Sequence, residues 1–239
     1  CNQMSHRKSS QIGIFRQYLS SKDLRKQQQN ILESKIDKTY FDEYYKNLKF
    51  KMGQGDSLIA KQDLQEYEDL TYLEKDQILR AYKKFQSIDP VNVNKYKTAT
   101  RITCERIRAQ TRELRLNPYG DRICHVFNTG GKHGMSFEDF LDMYSAMSEY
   151  SNGNIKTHYA FKIYDFDEDG FIGKDDIRQA IDRLVFDEDK HLTKAEINRI
   201  IENILRECDN DEDGALCYPE FQQAMNKCPD FMLNFKMYL

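Results

Sequence analysis

A helical repeat of apolar residues stands out near the carboxyl end of the chain. Apolar side chains recur there at intervals of three and four residues, the spacing that lines one face of an α-helix. They are Ile197, Ile200, Ile201, Ile204 and Leu205. Thr193 and Glu196 precede this face in the order of a capping box, whose two side chains satisfy free amides at a helix start. The pattern predicts an amphipathic helix that starts just after Thr193.

The same periodicity predicts helices along most of the chain. A helical pattern runs from about Tyr72 to Gln86, and helices flank a polar break at residues 128–134. Within residues 155–226, amphipathic helices bracket two acidic loops. No alternation of apolar and polar residues is long enough for a strand. The sequence therefore predicts an all-α fold, with short strands only inside the loops.

The composition fits a folded protein outside the membrane. The 239 residues are 39% hydrophobic and 12% aromatic, which is enough for a packed core and more aromatic than disordered chains are. No apolar run approaches the roughly 18 residues of a membrane-spanning helix, and the chain start lacks the apolar segment of a secretory signal. The six scattered cysteines fit reduced cytosolic thiols. We therefore expect a cytoplasmic protein.

Charge is distributed unevenly along the chain. Residues 1–51 carry 11 basic and 5 acidic residues, whereas the remaining residues have a net charge of −9. An acidic body disfavours nucleic acid, whose phosphates require clustered Lys and Arg. The basic segment could contact an acidic membrane surface or could be a solvated tail. We interpret residues 1–51 as a flexible extension, an alternative leader, a fusion or a misassigned upstream translation.

Two twelve-residue loops share one pattern of carboxylates. In Asp165–Asp176 and Asp209–Glu220, acids stand at positions 1, 3, 5 and 12, glycine at position 6 and an apolar residue at position 8. Alternate carboxylates on a curved loop point inward, and the glycine permits the sharp turn. This EF-hand pattern supplies the oxygen ligands that hard divalent cations prefer. A merely solvated acidic loop would leave the repeated glycine and apolar position unexplained.

We predict that both loops bind Ca²⁺ or Mg²⁺. The predicted ligands are Asp165, Asp167, Asp169, the carbonyl of Phe171 and Asp176 in one loop, and Asp209, Asp211, Asp213, the carbonyl of Ala215 and Glu220 in the other. Asp176 is one methylene shorter than Glu220, and a smaller oxygen set favours Mg²⁺. We therefore expect Ca²⁺ in the Asp209–Glu220 loop, and Mg²⁺ or weaker Ca²⁺ binding in the Asp165–Asp176 loop. Ile172 and Leu216, at position 8, are expected to pair the loops.

The earlier half of the chain has the pattern of hands without a cation. Residues Asn128–Asp139 align as a loop, but positions 3, 5 and 6 are Gly130, Lys132 and His133. Positive side chains in the cage would repel a divalent cation, so His133 is interpreted as an exposed loop residue. The stretch after Phe85 is too long and too poor in acids for a standard loop. We predict a silent pair of hands in residues 52–150 and an active pair in residues 151–239.

On these motifs the sequence resembles the calcium- and integrin-binding protein family over about residues 52–239. The matching segments are residues 64–73 (LQEYEDLTYL), 117–127 (NPYGDRICHVF), 136–143 (SFEDFLDM), 158–166 (HYAFKIYDF) and 229–236 (PDFMLNFK). The resemblance implies four hands with two silent amino-terminal loops and an Asp at position 12 of the third. It also implies a cytosolic sensor and adaptor whose carboxyl-terminal half holds a partner helix in an apolar groove. Expected partners are an integrin α cytoplasmic tail, a mechanosensory channel subunit or a kinase.

The resemblance gives roles to two further apolar sets. The tail residues Phe231, Met232, Leu233, Phe235 and Met237 are implied to cover the groove when no partner is bound. Independently, Ile197–Leu205 together with Ile177, Ile181 and Leu184 offers more apolar surface than one short helix needs. These residues are either core or part of the groove.

The dipeptide Met52-Gly53 opens a pattern for N-myristoylation. Gly53 becomes a lipidation candidate only if translation starts at Met52, and one acyl chain gives reversible contact with the inner face of the plasma membrane. Two other interpretations of the whole chain stay open, a cation buffer and a regulatory subunit of an enzyme, similar to the calcineurin B relatives. No nucleophile pattern or phosphate-binding loop is found, and an enzyme is not expected.

Overall fold

The structure, a computed structural model, describes residues 59–185, 192–228, 230–231 and 235–239. Of these, residues 59–69 belong to one compact unit and the residues from Leu70 onward to a second. The predicted extension at residues 1–51 and the lipidation candidate Gly53 lie outside the described residues, as do Met232 and Leu233 of the tail. The division of the two hand pairs at residue 150 stays a prediction.

Eleven α-helices and two short 3₁₀ helices form the regular structure of the described residues, which contain no β-strand. The α-helices are α1 (Lys61–Leu70), α2 (Lys75–Ile88), α3 (Pro90–Tyr96), α4 (Cys104–Gln110), α5 (Arg112–Leu116), α6 (Gly120–Phe127), α7 (Phe137–Ala146), α8 (Gly153–Tyr164), α9 (Lys174–Leu184), α10 (Lys194–Cys208) and α11 (Tyr218–Asn226). The 3₁₀ helices are Lys97–Ala99 and Gly131–His133. The all-α prediction is confirmed. In the part of the chain that the structure describes, no helix is long and apolar enough to cross a membrane.

An aromatic cluster forms the core between α2 and α7. The predicted helical pattern places Tyr82 and Phe85 on the buried side of α2, where they meet Phe137 and Phe140 of α7. Phe85 lies 5.7 Å from Phe137 and 5.4 Å from Phe140 between ring centroids, and Tyr82 packs edge-on at 5.2 Å from Phe137. These tilted and edge-on contacts are the favoured arrangements of aromatic rings. The cluster holds α7, the helix that follows the Asn128–Asp139 loop, against α2.

The predicted start of α10 is confirmed in detail. The amide of Glu196 donates to the hydroxyl of Thr193 (3.3 Å), and the amide of Thr193 donates to the carboxylate of Glu196 (2.8 Å). This reciprocal pair satisfies two amides that the helix start leaves without partners.

The apolar face of α10 is mostly core. Four of its five predicted members are buried, namely Ile197, Ile201, Ile204 and Leu205, and Ile200 is half-buried. Ile177 and Ile181 of α9 are buried as well, whereas Leu184 is half-buried. Core packing therefore accounts for most of this surface, and only its half-buried members are accessible to a partner.

Loop pairing occurs in both halves of the chain through single antiparallel bridges. Ile172 and Leu216 exchange two backbone hydrogen bonds of 2.9 and 3.0 Å, as the position-8 pairing predicted. Ile102 and Met135 exchange a corresponding pair of 2.9 and 2.8 Å. Short strands are thus reduced to one residue from each loop. The second bridge shows that the earlier loops keep the paired arrangement of EF-hands.

Candidate metal centre

The Asp165–Asp176 loop turns sharply between α8 and α9. Its residues at positions 4 and 6, Glu168 and Gly170, have φ values of 62° and 90°. A positive φ is uncommon for a residue other than glycine, so the turn at Glu168 is enforced by the loop's own contacts. The turn brings carboxylate oxygens of Asp165, Asp167 and Asp169 within 4.8 Å of one another. This arrangement could hold a cation.

Asp165 carries one carboxylate oxygen that has a protein partner and one that has none. Its Oδ2 accepts a hydrogen bond from the amide of Gly170 at 3.1 Å, whereas its Oδ1 is buried without a hydrogen-bond partner. Burial, together with the nearby carboxylates of Asp169 and Asp176, raises the pKa of Asp165. A buried anionic oxygen without a partner is costly, and a bound cation would compensate it. The residues present therefore fit a divalent cation.

The Asp209–Glu220 loop repeats this geometry. Glu212 and Gly214 have φ values of 60° and 91°, and carboxylate oxygens of Asp209, Asp211 and Asp213 lie within 4.8 Å of one another. The amide of Gly214 donates to Oδ2 of Asp209 at 2.9 Å, and Oδ1 of Asp209 is buried without a partner. Two loops separated in sequence therefore converge on the same chemical feature.

The acids at position 12 are not members of these three-acid clusters, and they close each loop on its own backbone. Asp176 accepts from the amides of Phe166 (2.8 Å) and Gly173 (2.9 Å) through different oxygens. Glu220 accepts in the same way from Asn210 (2.6 Å) and Cys217 (3.0 Å). Burial alone would raise the pKa of Glu220, but these amide donors hold it below its ordinary value. The ligand roles of both position-12 acids stay predictions.

The position-7 residues contribute hydrogen bonds within each loop. The amide of Phe171 donates to Asp169 (2.8 Å), and the amide of Ala215 donates to Asp213 (2.9 Å). The Phe171 side chain is 43% exposed, so it adds little to the core. The predicted use of both carbonyls as ligands stays a prediction.

The Asn128–Asp139 loop satisfies its own acid with protein donors. Asp139 accepts from the hydroxyl of Thr129 (2.6 Å) and the amide of Ser136 (2.9 Å), and Arg101 lies 3.4 Å from it. Lys132 and His133 are exposed, as expected for His133. Within the described residues, clusters of three acids occur only in the two loops above. That this hand binds no cation stays a prediction.

The loop between α2 and α4 differs from a standard hand because it contains a helix of its own. Helix α3 begins at Pro90, directly after the acid Asp89. Asp89 is buried and accepts from the side chains of Asn92 (2.8 Å) and Arg106 (3.0 Å), so its charge is already compensated. The prediction that this stretch is no standard loop is confirmed by the inserted helix.

Sequence patterns did not indicate a basic contact from α6 to the third-hand loop. Arg122 of α6 lies 3.0 Å from the carboxylate of Glu168, and it donates to the carbonyls of Lys162 and Asp165. His125 also contacts Glu168, at 2.6 Å. Arg122 stands within the family-like segment 117–127, but nothing in its local spacing shows which loop it reaches.

Comparison with known proteins agrees with this geometry. A profile of the EF-hand domain pair matches residues 156–226, which include both acidic loops. Calcium and integrin-binding family member 2 of Drosophila melanogaster is 38% identical over 189 residues, covering 77% of this chain and 98% of that protein. The human family members 2 and 3 are 33% and 34% identical, each over 77% of this chain and 98% of the relative.

The names of the relatives and the matched profile also bear on catalysis. They refer to calcium binding, integrin binding and the EF-hand pair, and this relationship confirms the prediction of a non-enzymatic protein. Identity above 30% over nearly the whole length of the relatives also confirms the resemblance drawn from the sequence motifs. The chain is therefore a calcium-binding EF-hand protein that belongs to the calcium and integrin-binding family.

Proposed function

We propose that the protein is a Ca²⁺- and Mg²⁺-binding sensor and adaptor that holds an amphipathic helix of a partner protein. The observation that carries the proposal is the buried, unpartnered Oδ1 atom found in both Asp165 and Asp209. Each of these oxygens belongs to a cluster of three acids that could hold a cation. A divalent cation bound in such a loop would compensate the negative charge of these buried carboxylate oxygens.

The proposed ligands are those of the two EF-hand patterns, including the position-7 carbonyls and the position-12 acids. Asp176 and Glu220 already bridge the two ends of their loops, so cation binding and loop closure would share the same side chains. The longer Glu220 supports Ca²⁺ in its loop, and the shorter Asp176 supports Mg²⁺ or weaker Ca²⁺ binding. The bound cation would supply charge compensation, and the protein would supply the shape of the flanking helices.

The proposed partner is a helical cytoplasmic segment of a membrane protein. The names of the relatives, which refer to integrin binding, support an integrin α tail as the first candidate, with a channel subunit or a kinase as others. We place this interaction in the cytoplasm, at the inner face of the plasma membrane. Lipidation at Gly53 would add reversible membrane contact if translation starts at Met52.

The carboxyl-terminal tail lies against the body of the second unit, which supports its proposed covering role. Phe231 is buried and stacks on Phe235 with ring centroids 5.5 Å apart. The amide of Met237 donates to the carbonyl of Met147 at 2.9 Å. An apolar tail of this kind could be displaced by a partner helix of similar character.

Calorimetric titration with a synthetic integrin α tail peptide tests the adaptor function. The peptide should bind in the presence of Ca²⁺ or Mg²⁺ and lose affinity when the cations are chelated. Titration with each cation alone should show two sites, and the double variant Asp165→Asn, Asp209→Asn should remove both. No cation binding at millimolar concentration would overturn the proposal as a whole.

A second measurement separates the sensor from a cation buffer. A fluorescent probe of apolar surfaces should gain intensity when the sensor is loaded, because metal can open a hand and expose apolar surface. Cation binding without a change in probe fluorescence or in peptide affinity would favour the buffer. Metal-dependent capture of an enzyme subunit without tail-peptide binding would favour the calcineurin B-like alternative.

A further inference from the structure

Arg122 joins a helix of the silent pair to the first cation loop. Its guanidinium donates hydrogen bonds to the carbonyl oxygens of Lys162 (2.9 Å) and Asp165 (2.7 Å), and it pairs with Glu168 at 3.0 Å. Only 9% of Arg122 is exposed, so these contacts lie largely out of water. Charge-assisted hydrogen bonds of this kind are roughly twice as strong as neutral ones.

The carbonyls that Arg122 binds have a defined place in the hand. The last carbonyls of a helix have no partners within the helix, and those of α8 lie immediately before the acidic loop. By binding the carbonyls of Lys162 and Asp165, Arg122 caps this end and fixes the backbone of the first acid in the loop. The unpartnered Oδ1 of Asp165 is attached to that same backbone. The position of this oxygen therefore depends on Arg122.

A second arginine holds the loop from its other side. The guanidinium carbon of Arg183 in α9 lies 4.8 Å from the ring centroid of Phe166, and that of Arg122 lies 5.6 Å from it. Arg183 also forms an ion pair with Asp121 of α6, with its Nη2 2.9 Å from Oδ2. Residues Asp121 and Arg122 thus connect α6 to both helices that flank the loop.

We propose that Arg122 is a positioning residue for cation binding in the Asp165–Asp176 loop, so that α6 of the silent pair sets the affinity of this loop. The inference rests on the proposed function, because it assumes that the loop binds a cation. It explains why a hand without a cation of its own keeps a buried basic residue against its neighbour. Through the same contact, a rearrangement of α6 that moves Arg122 would change cation affinity, and cation binding would shift the equilibrium of that rearrangement by the same factor.

Two physical effects of Arg122 oppose each other, and their balance decides whether its removal weakens or strengthens cation binding. The positive charge of Arg122 repels a dication, whereas its hydrogen bonds hold the loop in a shape that binds one. Glu168 pairs with the charge and reduces the repulsion. We therefore expect the positioning effect to dominate, and removal of the guanidinium should weaken binding. If repulsion dominated, the same change would strengthen it.

Site-resolved titration of Arg122→Met distinguishes these outcomes. Cation affinity is followed by NMR at the amides of Gly170 and Gly214, which donate to the first acid of each loop. We expect the affinity reported by Gly170 to fall about 10- to 100-fold, the range seen when partners of metal ligands are removed. The affinity reported by Gly214 in the same sample should change much less. Loss of overall stability would affect both loops alike.

Conservative variants keep the test informative if Arg122→Met folds poorly. Arg122→Lys retains the charge but loses the planar, spread set of donors that contacts two carbonyls and a carboxylate, so its Gly170 affinity should lie between those of the wild type and Arg122→Met. Glu168→Gln removes the charge pair and leaves both carbonyl contacts, so it should have the smaller effect. An unchanged or increased affinity at Gly170 in both Arg122 variants would overturn the inference. Absence of binding in the wild type would instead overturn the proposed function.

Discussion

Ile172 and Leu216 join the two acidic loops through a reciprocal pair of backbone hydrogen bonds, 2.9 and 3.0 Å long. Both side chains are buried, with 4% of each exposed, so the bridge lies inside the core of the pair. A change in one loop's backbone therefore reaches the other through two hydrogen bonds and a packed contact. The loops predicted to be silent keep the same connection through Ile102 and Met135. Loop pairing therefore occurs in the Asn128–Asp139 loop without a three-acid cluster.

Removal of the cations should destabilise both loops together. A ligand at 100 times its dissociation constant stabilises the folded state by about 2.7 kcal/mol per site, and two sites would contribute about 5 kcal/mol. A contribution of this size corresponds to a fall of about 10–20 °C in melting temperature for a protein of this size. Thermal unfolding in Ca²⁺ and in excess chelator measures it. Equal melting temperatures in both conditions would contradict cation binding.

The variant Asp165→Asn should change stability with opposite signs in the two conditions. Without cations, the substitution removes a buried charge that lacks a partner at one oxygen, so the free energy of unfolding should rise by about 1 kcal/mol. With saturating Ca²⁺, the same variant has lost a ligand and should be less stable than the wild type. Denaturant unfolding with and without chelator measures both values.

Asp142→Asn is a control for that comparison, because it also removes one carboxylate charge. Asp142 is an exposed acid on α7 outside both acidic loops, and partial desolvation by its neighbours raises its pKa, as burial does for Asp165. The effect of Asp142→Asn on stability should be the same with and without Ca²⁺. A reversal of sign in the control as well would show that the reversal does not report on cation binding.

Lengthening the acid at position 12 of the third hand should change cation preference. Asp176→Glu lengthens the side chain by one methylene, to the length of Glu220, so a second carboxylate oxygen could reach a larger ion. The affinity for Ca²⁺ should rise relative to that for Mg²⁺, as measured by calorimetry with each ion. Glu220→Asp is the reciprocal variant and should shift the preference of the other loop toward Mg²⁺. No shift in either variant would show that the length of this side chain does not set selectivity.

The parts of the fold that follow from local sequence were predictable, and the contacts between distant residues were not. Helix α10 could be predicted because its apolar period and its cap lie within a few residues of one another. The Asp165–Asp176 loop could be predicted because its acids and its glycine also lie close together in sequence. The contact of Arg122 with Asp165 spans 43 residues, and that of Arg101 with Asp139 spans 38. Such pairs depend on how helices pack, which hydrophobic periodicity does not specify.

The Asn128–Asp139 loop offers a test of backbone conformation through two of its glycines. Gly134 has a φ of 85°, and a Cβ atom there would lie 2.4 Å from the carbonyl oxygen of Ile102, which the bridge to Met135 uses. Gly131 also has a positive φ, of 55°, but a Cβ atom there would meet no atom within 4 Å. The two positions therefore share an unfavourable backbone region and differ in steric overlap.

Gly134→Ala should consequently destabilise the protein far more than Gly131→Ala. We expect Gly131→Ala to cost about 1–2 kcal/mol from its backbone region alone. We expect Gly134→Ala to cost about 2–5 kcal/mol, because overlap with Ile102 adds to the strain and displaces the bridge. Urea unfolding in chelator measures both without a contribution from bound cation. Equal costs would mean that the Ile102–Met135 bridge can shift freely, and the silent pair would then be held by its aromatic core and not by its paired loops.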